Sequence, residues 1–276
     1  MSPLWRDEVG AYLSPHRLCL VRMRRGARPK PVAENAQRFE DVRSDSWEAP
    51  LAALAAMLEQ PAWRGARTRV VLADHWARYA IAPWSGALRS DEERLAHGRQ
   101  LLSNAYGDAI AGWEVRISEA PPGAPRVVCA VPAELIAGVR AACEAQGGTL
   151  LSLQPQLIDA YSACRQRLPQ SNSWFVSVER GSLAAARLGS QGWDRVHSVR
   201  IGVDWMRELR RLQTFGRLAR HRPEEGQVYV DAPHSWRELA RATASGADGR
   251  GLQWLDEADT PITTLERLGR ARRMAA

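Results

Sequence analysis

Lysine is almost missing: Lys30 is the only one among 38 basic residues, and the rest are arginines spread along the whole chain. With abundant alanine beside it, that spread reads as the composition of the chain, not as a surface dedicated to an anionic partner. Phenylalanine is scarce too, three against eleven tryptophans, an imbalance that selects no function. No apolar run reaches ~18 residues, so no membrane span is expected. The N-terminal MSPLWRDEVG has neither an apolar signal core nor a small-residue cleavage site, and the sequence is read as cytoplasmic. The four cysteines (Cys19, Cys129, Cys143, Cys164) form no C-x-x-C pair. This points away from a zinc site or a disulfide framework and toward small buried hydrophobes. P-loop, G-x-S-x-G and H-E-x-x-H motifs are absent. The six histidines are isolated from one another. His75, between Asp74 and Trp76, is the most site-like of them and reads as a turn residue. No catalytic residue and no metal ligand is assigned.

What is present is enough for a folded chain. Of 276 residues, 45% are hydrophobic and 25% charged, sufficient for one large domain or two modest ones. The net charge of +7 raises a nucleic-acid reading. The densest basic cluster is Arg207, Arg210, Arg211, Arg217, Arg220 and Arg222. Most of it flanks a helix whose apolar face is Met206, Leu209, Leu212 and Phe215, so it reads as a solvated face. Nucleic acid is therefore not the expected partner.

One order of elements occurs twice. Val9–Leu13, Arg17–Met23 and Val32–Phe39 read as strands, then Ser46–Gln60 as a helix capped by Ser44 or Asp45, then Thr68–Ala73 as a strand. From Ser173 the order returns. Ser173–Glu179, Ser182–Leu188 and Trp193–Ile201 read as strands, Val203–Phe215 as a helix and Gln227–Asp231 as a strand. Between the two lie a strand at Ala77–Pro83, a helix capped by Ser90, and a hairpin of Trp113–Ser118 with Arg126–Val131. A helix opened by Pro132, a strand at Thr149–Leu153 and a helix from Pro155 follow, with Gln170–Asn172 as a linker. Beyond the second unit a helix is expected at His234–Ala242, an edge strand at Gln253–Leu255 and a basic helix at Thr263–Ala271. The expectation is a mixed-sheet α/β chain of two related subdomains facing a cleft, residues 1–170 and 171–276.

A duplicated β-β-β-α-β unit is the plan of the actin-like ATPases, in which RNase H-like subdomains hold a nucleotide. Their phosphate-gripping turns need small residues for backbone approach and a carboxylate for Mg²⁺. The first hairpin here, Gly10 to His16, has no acid and carries Pro15. The second keeps Glu179 and Gly181 at acid-x-Gly spacing, with Ser182 following and Arg180 between. These three make a vestigial cofactor-binding site at most, so no cofactor is expected and ATP with magnesium is the alternative. Where adenosine is normally cradled by a Gly-Gly turn, Ala232-Pro233 stands instead, and proline removes an N–H. An RNase H-like nuclease would need acids on the first strand, and Val9–Leu13 has none. A basic RNase H-like nucleic-acid-binding module remains a further alternative.

The run Thr68–Trp84 resembles the strand-turn-strand of PilM and of the cytoplasmic part of GspL, actin-like components of type IV pilus and type II secretion platforms. Ala77–Pro83 followed by Asp91-Glu92-Glu93-Arg94, Cys129–Leu135, and Gly147–Tyr161 are similar to successive passages of that group. PilM-type proteins keep the Asp-x-Gly turns, which this sequence lacks, and GspL proteins continue into a membrane helix and periplasmic domain, which are not expected here. The resemblance implies a non-catalytic scaffold with a vestigial nucleotide site, peripheral to the inner membrane. It also implies a partner in the cytoplasmic tail of a bitopic inner-membrane pilus or secretion protein, with an assembly ATPase as a further candidate. Trp5, Trp76, Tyr79 and Trp84 are the apolar-aromatic candidates for a partner-binding surface.

Overall fold

The computed structural model describes residues 7–24, 30–40, 46–145, 147–169, 172–202, 205–218, 227–232 and 252–255. They contain thirteen strands and five α-helices. The chain falls into two compact units, and neither is a continuous half. Of the described residues, one unit gathers those up to Trp76 with Pro132–Ala163; the other gathers Ala77–Val131 with those from Cys164 to Leu255. One change of unit, at Ala163/Cys164, falls close to the division expected at residue 170. The chain also changes unit at Trp76/Ala77 and at Val131/Pro132, where the sequence carries no linker composition.

In the first unit, β1 (Glu8–Ser14), β2 (Arg17–Arg24), β3 (Lys30–Arg38), β4 (Arg67–Leu72) and β8 (Thr149–Pro155) form one sheet in the order β3-β2-β1-β4-β8. The β1/β2 and β2/β3 pairs are antiparallel, and β1/β4 and β4/β8 are parallel. β1 is central, and Val9, Ala11 and Leu13 are buried with Val70, Val71 and Leu72 of β4. Helix α1 (Glu48–Glu59) begins at Trp47 with no side-chain cap, so the cap expected from Ser44 or Asp45, both outside the described residues, is not what starts it. It packs on α3 (Ala133–Glu144) where Gly138 leaves room for Leu51. Helix α4 (Gln156–Cys164) follows β8 directly.

In the second unit, β9 (Ser173–Glu179), β10 (Ser182–Gly189), β11 (Gly192–Arg200), β12 (Gln227–Asp231) and β13 (Leu252–Trp254) form a sheet in the order β11-β10-β9-β12-β13. Senses repeat those of the first sheet: β9/β10 and β10/β11 antiparallel, β9/β12 and β12/β13 parallel. The repeated order read from the sequence is thus a repeated topology, and the edge strand expected at Gln253–Leu255 is β13. Every residue of β9 is buried, as in a strand covered on both faces. Helix α5 (Trp205–Leu218) buries Trp205, Met206 and Leu209 against Trp174, Val176 and Val230, while Arg207, Arg210 and Arg211 are exposed. The side chains of Arg217, Arg220 and Arg222 and the helices expected at His234–Ala242 and Thr263–Ala271 lie outside the described residues.

The same unit holds a three-stranded sheet, β5-β7-β6, of β5 (Arg78–Ala82), β6 (Trp113–Ile117) and β7 (Arg126–Pro132). Helix α2 (Asp91–Tyr106) packs on it through Leu95 and Leu102. Its start is the one the sequence marks: Ser90 Oγ accepts the Glu93 N–H at 3.1 Å and Glu93 accepts the Ser90 N–H at 3.0 Å. The Ser90 N–H, and after it the Arg89 N–H at 2.6 Å, hold the Glu93 carboxyl below the usual range. β5 lies alongside β11. All four cysteines are free thiols, three of them buried, and burial pushes Cys143 up to about 11.

His197 on β11 stacks against Trp174 at 6.3 Å between centroids. Burial, with Arg195 second, pushes its imidazole below the ordinary 6.5. The unfolded chain therefore takes up this proton first as pH falls through about 6.5, and stability is lost from there downward. The urea midpoint is expected to fall between pH 7.5 and 5.5, and to fall less in His197→Gln; an unchanged slope in that variant would assign the effect to other groups.

Candidate functional site

Open sheets with parallel strands bind ligands beyond the carboxyl ends of those strands. In the first unit that edge is built from the β1–β2 turn, the residues after β4 and the start of α4. Ser14 and Arg17 close β1 and β2 around Pro15-His16. Ser14 Oγ donates to the Arg17 carbonyl at 3.0 Å, and Pro15 has no N–H to offer. Beyond β4, Asp74, His75 and Trp76 form a buried 3₁₀ turn. Asp74 Oδ1 accepts the N–H of Leu157 at 3.1 Å. That bond satisfies one of the free donors in the first turn of α4 and places a negative charge at its positive end. The helix terminus best placed to receive an anion thus already holds the chain's own carboxylate.

In the second unit, Glu179 and Ser182 close β9 and β10 around Arg180-Gly181. Gly181 adopts φ +88°, a conformation that favours glycine, and its carbonyl accepts the Ile201 N–H at 3.1 Å. Ser182 Oγ donates to Glu179 Oε1 at 2.7 Å, and Glu179 is only 7% exposed. So the vestigial constellation of Glu179, Gly181 and Ser182 is brought together, as a tight turn bonded within itself. Matching the closing pairs of the two hairpins sets Ser14 where Glu179 stands, a hydroxyl against a carboxylate. β12 ends at buried Asp231, in register with Ser177 of β9. Ala232 is buried, and Pro233 lies outside the described residues. Among the described residues no group of three or more His, Cys, Asp or Glu side chains could hold a metal ion.

No family model and no curated protein sequence matches the chain. Solved structures do. A chain of the PilM–PilN type IV pilus biogenesis complex superposes with a TM-score of 0.66 at 17% identity, over 96% of this chain and 98% of the other. A Bacteroides thetaiotaomicron protein described as having an actin-like ATPase fold and unknown function gives 0.58 at 11%, over 97% and 99%. The chain has the actin-like fold. The cytoplasmic domain of EpsL, an inner-membrane component of the Vibrio cholerae type II secretion system, gives 0.57 at 8%, over 97% and 95%. The actin-like reading of the sequence, and its resemblance to pilus and secretion proteins, are borne out at the level of the fold.

The partner-surface candidates do not form one surface. Trp76 is 2% exposed and Tyr79 3%, so neither can present an aromatic face; both are core residues of their units. Trp5 lies outside the described residues. Trp84, which follows β5 in the actin-like chain's second unit, is 52% exposed. Sequence reasoning passed over Asp74 as a cap because its partner, Leu157, lies 83 residues on. It also passed over Glu8, which is buried and pairs with Arg69 at 3.2 Å and Arg67 at 3.9 Å. The buried terminal acid Asp231 carried a signal, an acid ending an apolar strand, that could have found it.

Proposed function

We propose that the protein is a non-catalytic adaptor of an inner-membrane assembly platform of the type IV pilus or type II secretion kind. It acts at the cytoplasmic face through protein–protein contacts, with the cytoplasmic tail of a bitopic membrane protein as partner and an assembly ATPase as a further candidate. The observation that carries the reading is the nearly end-to-end likeness to a chain of the PilM–PilN complex. The internal bonding of the phosphate-facing groups supports the non-catalytic part: Ser14 to Arg17, Asp74 to Leu157, Ser182 to Glu179. Among the described residues no helix is long and apolar enough to cross a membrane.

A second reading, nucleotide binding, is favoured by Glu179, the one phosphate-turn acid retained. Calorimetry with Mg-ATP and an EDTA control separates the two. No saturable heat is expected up to ~1 mM ligand, an affinity weaker than about −4 kcal/mol. Magnesium-dependent saturation that disappears in Glu179→Ala would replace the adaptor reading with nucleotide-controlled assembly. The partner is tested with synthetic cytoplasmic tails of single-span pilus and secretion membrane proteins, at least one of which is expected to bind saturably; absence of binding by all of them counts against the platform.

A further inference from the structure

Among the described residues only two large hydrophobic side chains are left in the open, Val32 and Trp84, each 52% exposed. Val32 stands on the edge strand β3. Trp84 lines a groove of about 330 Å³ together with Leu88, Ile117 and Pro122, wholly within the second unit. Arg89, Arg94 and Arg126 also line it, and no aspartate or glutamate does.

The loop that carries Trp84 is built. Leu88 N–H donates to the Ser85 carbonyl at 3.3 Å, and Ala87 N–H to Ser85 Oγ at 3.3 Å. Arg89 N–H reaches Glu93 Oε2 at 2.6 Å, tying the loop into the cap of α2. The indole lies against Gly86, where an added Cβ would stand 3.3 Å from Trp84 Cη2. An exposed ring held this way loses little freedom on binding, which is what favours tryptophan and arginine at the centre of protein interfaces.

Part of the charge is also left uncancelled. Arg126 donates at 3.0 Å to the carbonyls of Ser118 and of Ala120, which orient the guanidinium without neutralising it. Arg94 is paired with Asp91 at 2.6 Å, whereas no carboxylate among the described residues pairs with Arg89. The volume lies at the lower end of the ~300–1,000 Å³ range of ligand pockets, room for one or two side chains.

We infer that this groove docks an acidic protein segment, which sets one apolar side chain against Trp84 and lays carboxylates on Arg89 and Arg126. The inference deepens the adaptor reading, since both take protein segments as ligands, but it names a site and a chemistry that the membrane-protein tail does not have to share.

The test is fluorescence anisotropy of the whole protein with a labelled acidic peptide carrying one central phenylalanine, at low salt. One control peptide has glutamine for each acid, and another has alanine for the phenylalanine. Each control and Trp84→Ala are expected to weaken binding by ~10-fold or more, as for a central interface residue. Arg89→Glu is expected to weaken it ~5-fold, with the difference closing as salt approaches ~1 M. Arg89 makes no side-chain bond that the fold needs, so this variant keeps the test open should Trp84→Ala disturb the loop.

Equal binding by both variants and the wild type overturns the inference. So does a glutamine peptide that binds as well as the acidic one, or a single-stranded oligonucleotide that displaces the peptide with equal affinity. The membrane-protein tail is titrated in parallel. Loss of the acidic peptide's binding with the tail intact sinks the groove alone, and failure of the tail with the peptide intact sinks the platform alone.

Discussion

Gly148→Ala is expected to destabilise the first unit by about 3 kcal/mol or more, beyond ordinary overpacking, and to lower the melting temperature by roughly 6 °C or more. The passage from α3 to β8 explains the size. Gly147, at φ +72°, turns the chain and donates to the Glu144 carbonyl at 3.0 Å. Gly148 then passes between two backbone carbonyls: an added Cβ would stand 2.4 Å from the Cys143 oxygen and 2.7 Å from the Ala66 oxygen. Neither can step aside alone. The Ala66 carbonyl already accepts the Thr149 N–H at 3.0 Å, the bond that starts β8 beside β4. Relief of the clash must therefore move the strand or the helix end. Gly138→Ala is the instructive comparison. Its Cβ would meet Leu51 Cδ2 at 2.3 Å, a closer approach but to the tip of a flexible side chain, and about 1–2 kcal/mol is expected. Gly112, with nothing within 4 Å, is the neutral control. Urea unfolding of the three alanine variants should rank them in that order. A Gly148→Ala protein as stable as Gly112→Ala would mean the helix end yields freely.

Trp205→Ala is expected to cost about 3–5 kcal/mol, the range for emptying a large aromatic site in a packed core. The side chain is 1% exposed and stands edge-on to Trp254, with centroids 5.9 Å apart and planes at 80°. It joins α5 to the shortest strand of its sheet, so amides of β13 should lose hydrogen-exchange protection before those of β9. Trp205→Phe separates shape from polarity. The indole N–H has no acceptor among the described residues, and an unsatisfied buried donor costs about 1–3 kcal/mol. Phenylalanine leaves a smaller cavity than alanine and removes that donor, so its net loss should stay within about 1.5 kcal/mol. A phenylalanine variant as unstable as the alanine one would show that the N–H is satisfied in solution.

The strands were the legible part. Ser173–Glu179 and Gln227–Asp231 were placed to the residue, because apolar runs bounded by turn residues declare both ends. The Ser90–Glu93 cap was legible for a similar reason, since its partners sit three residues apart. The interleaving of the units was not. Asp74–Trp76 reads as a short turn between two strands, and nothing local says that β4 and β5 belong to different sheets. Nor does composition tell a buried tryptophan from an exposed one. Trp76 and Trp84 stand at either end of one apolar stretch, and only the packing of the units separates their fates. At the site, the lost acid of the first turn was visible, while the occupation of the α4 terminus by Asp74 needed a contact between residues 83 apart in the sequence.

The interleaving of the two units sets an order of events at the ribosome. β5, β6 and β7 emerge before β8, yet β8 completes the first five-stranded sheet at Pro155, while β5 meets its neighbour β11 only once Gly192–Arg200 has been made. During that interval the small sheet is synthesised but has one flank uncovered, the kind of exposed strand that pairs with other chains. The nascent protein is thus most vulnerable to aggregation in mid-translation, after its first sheet can already have closed.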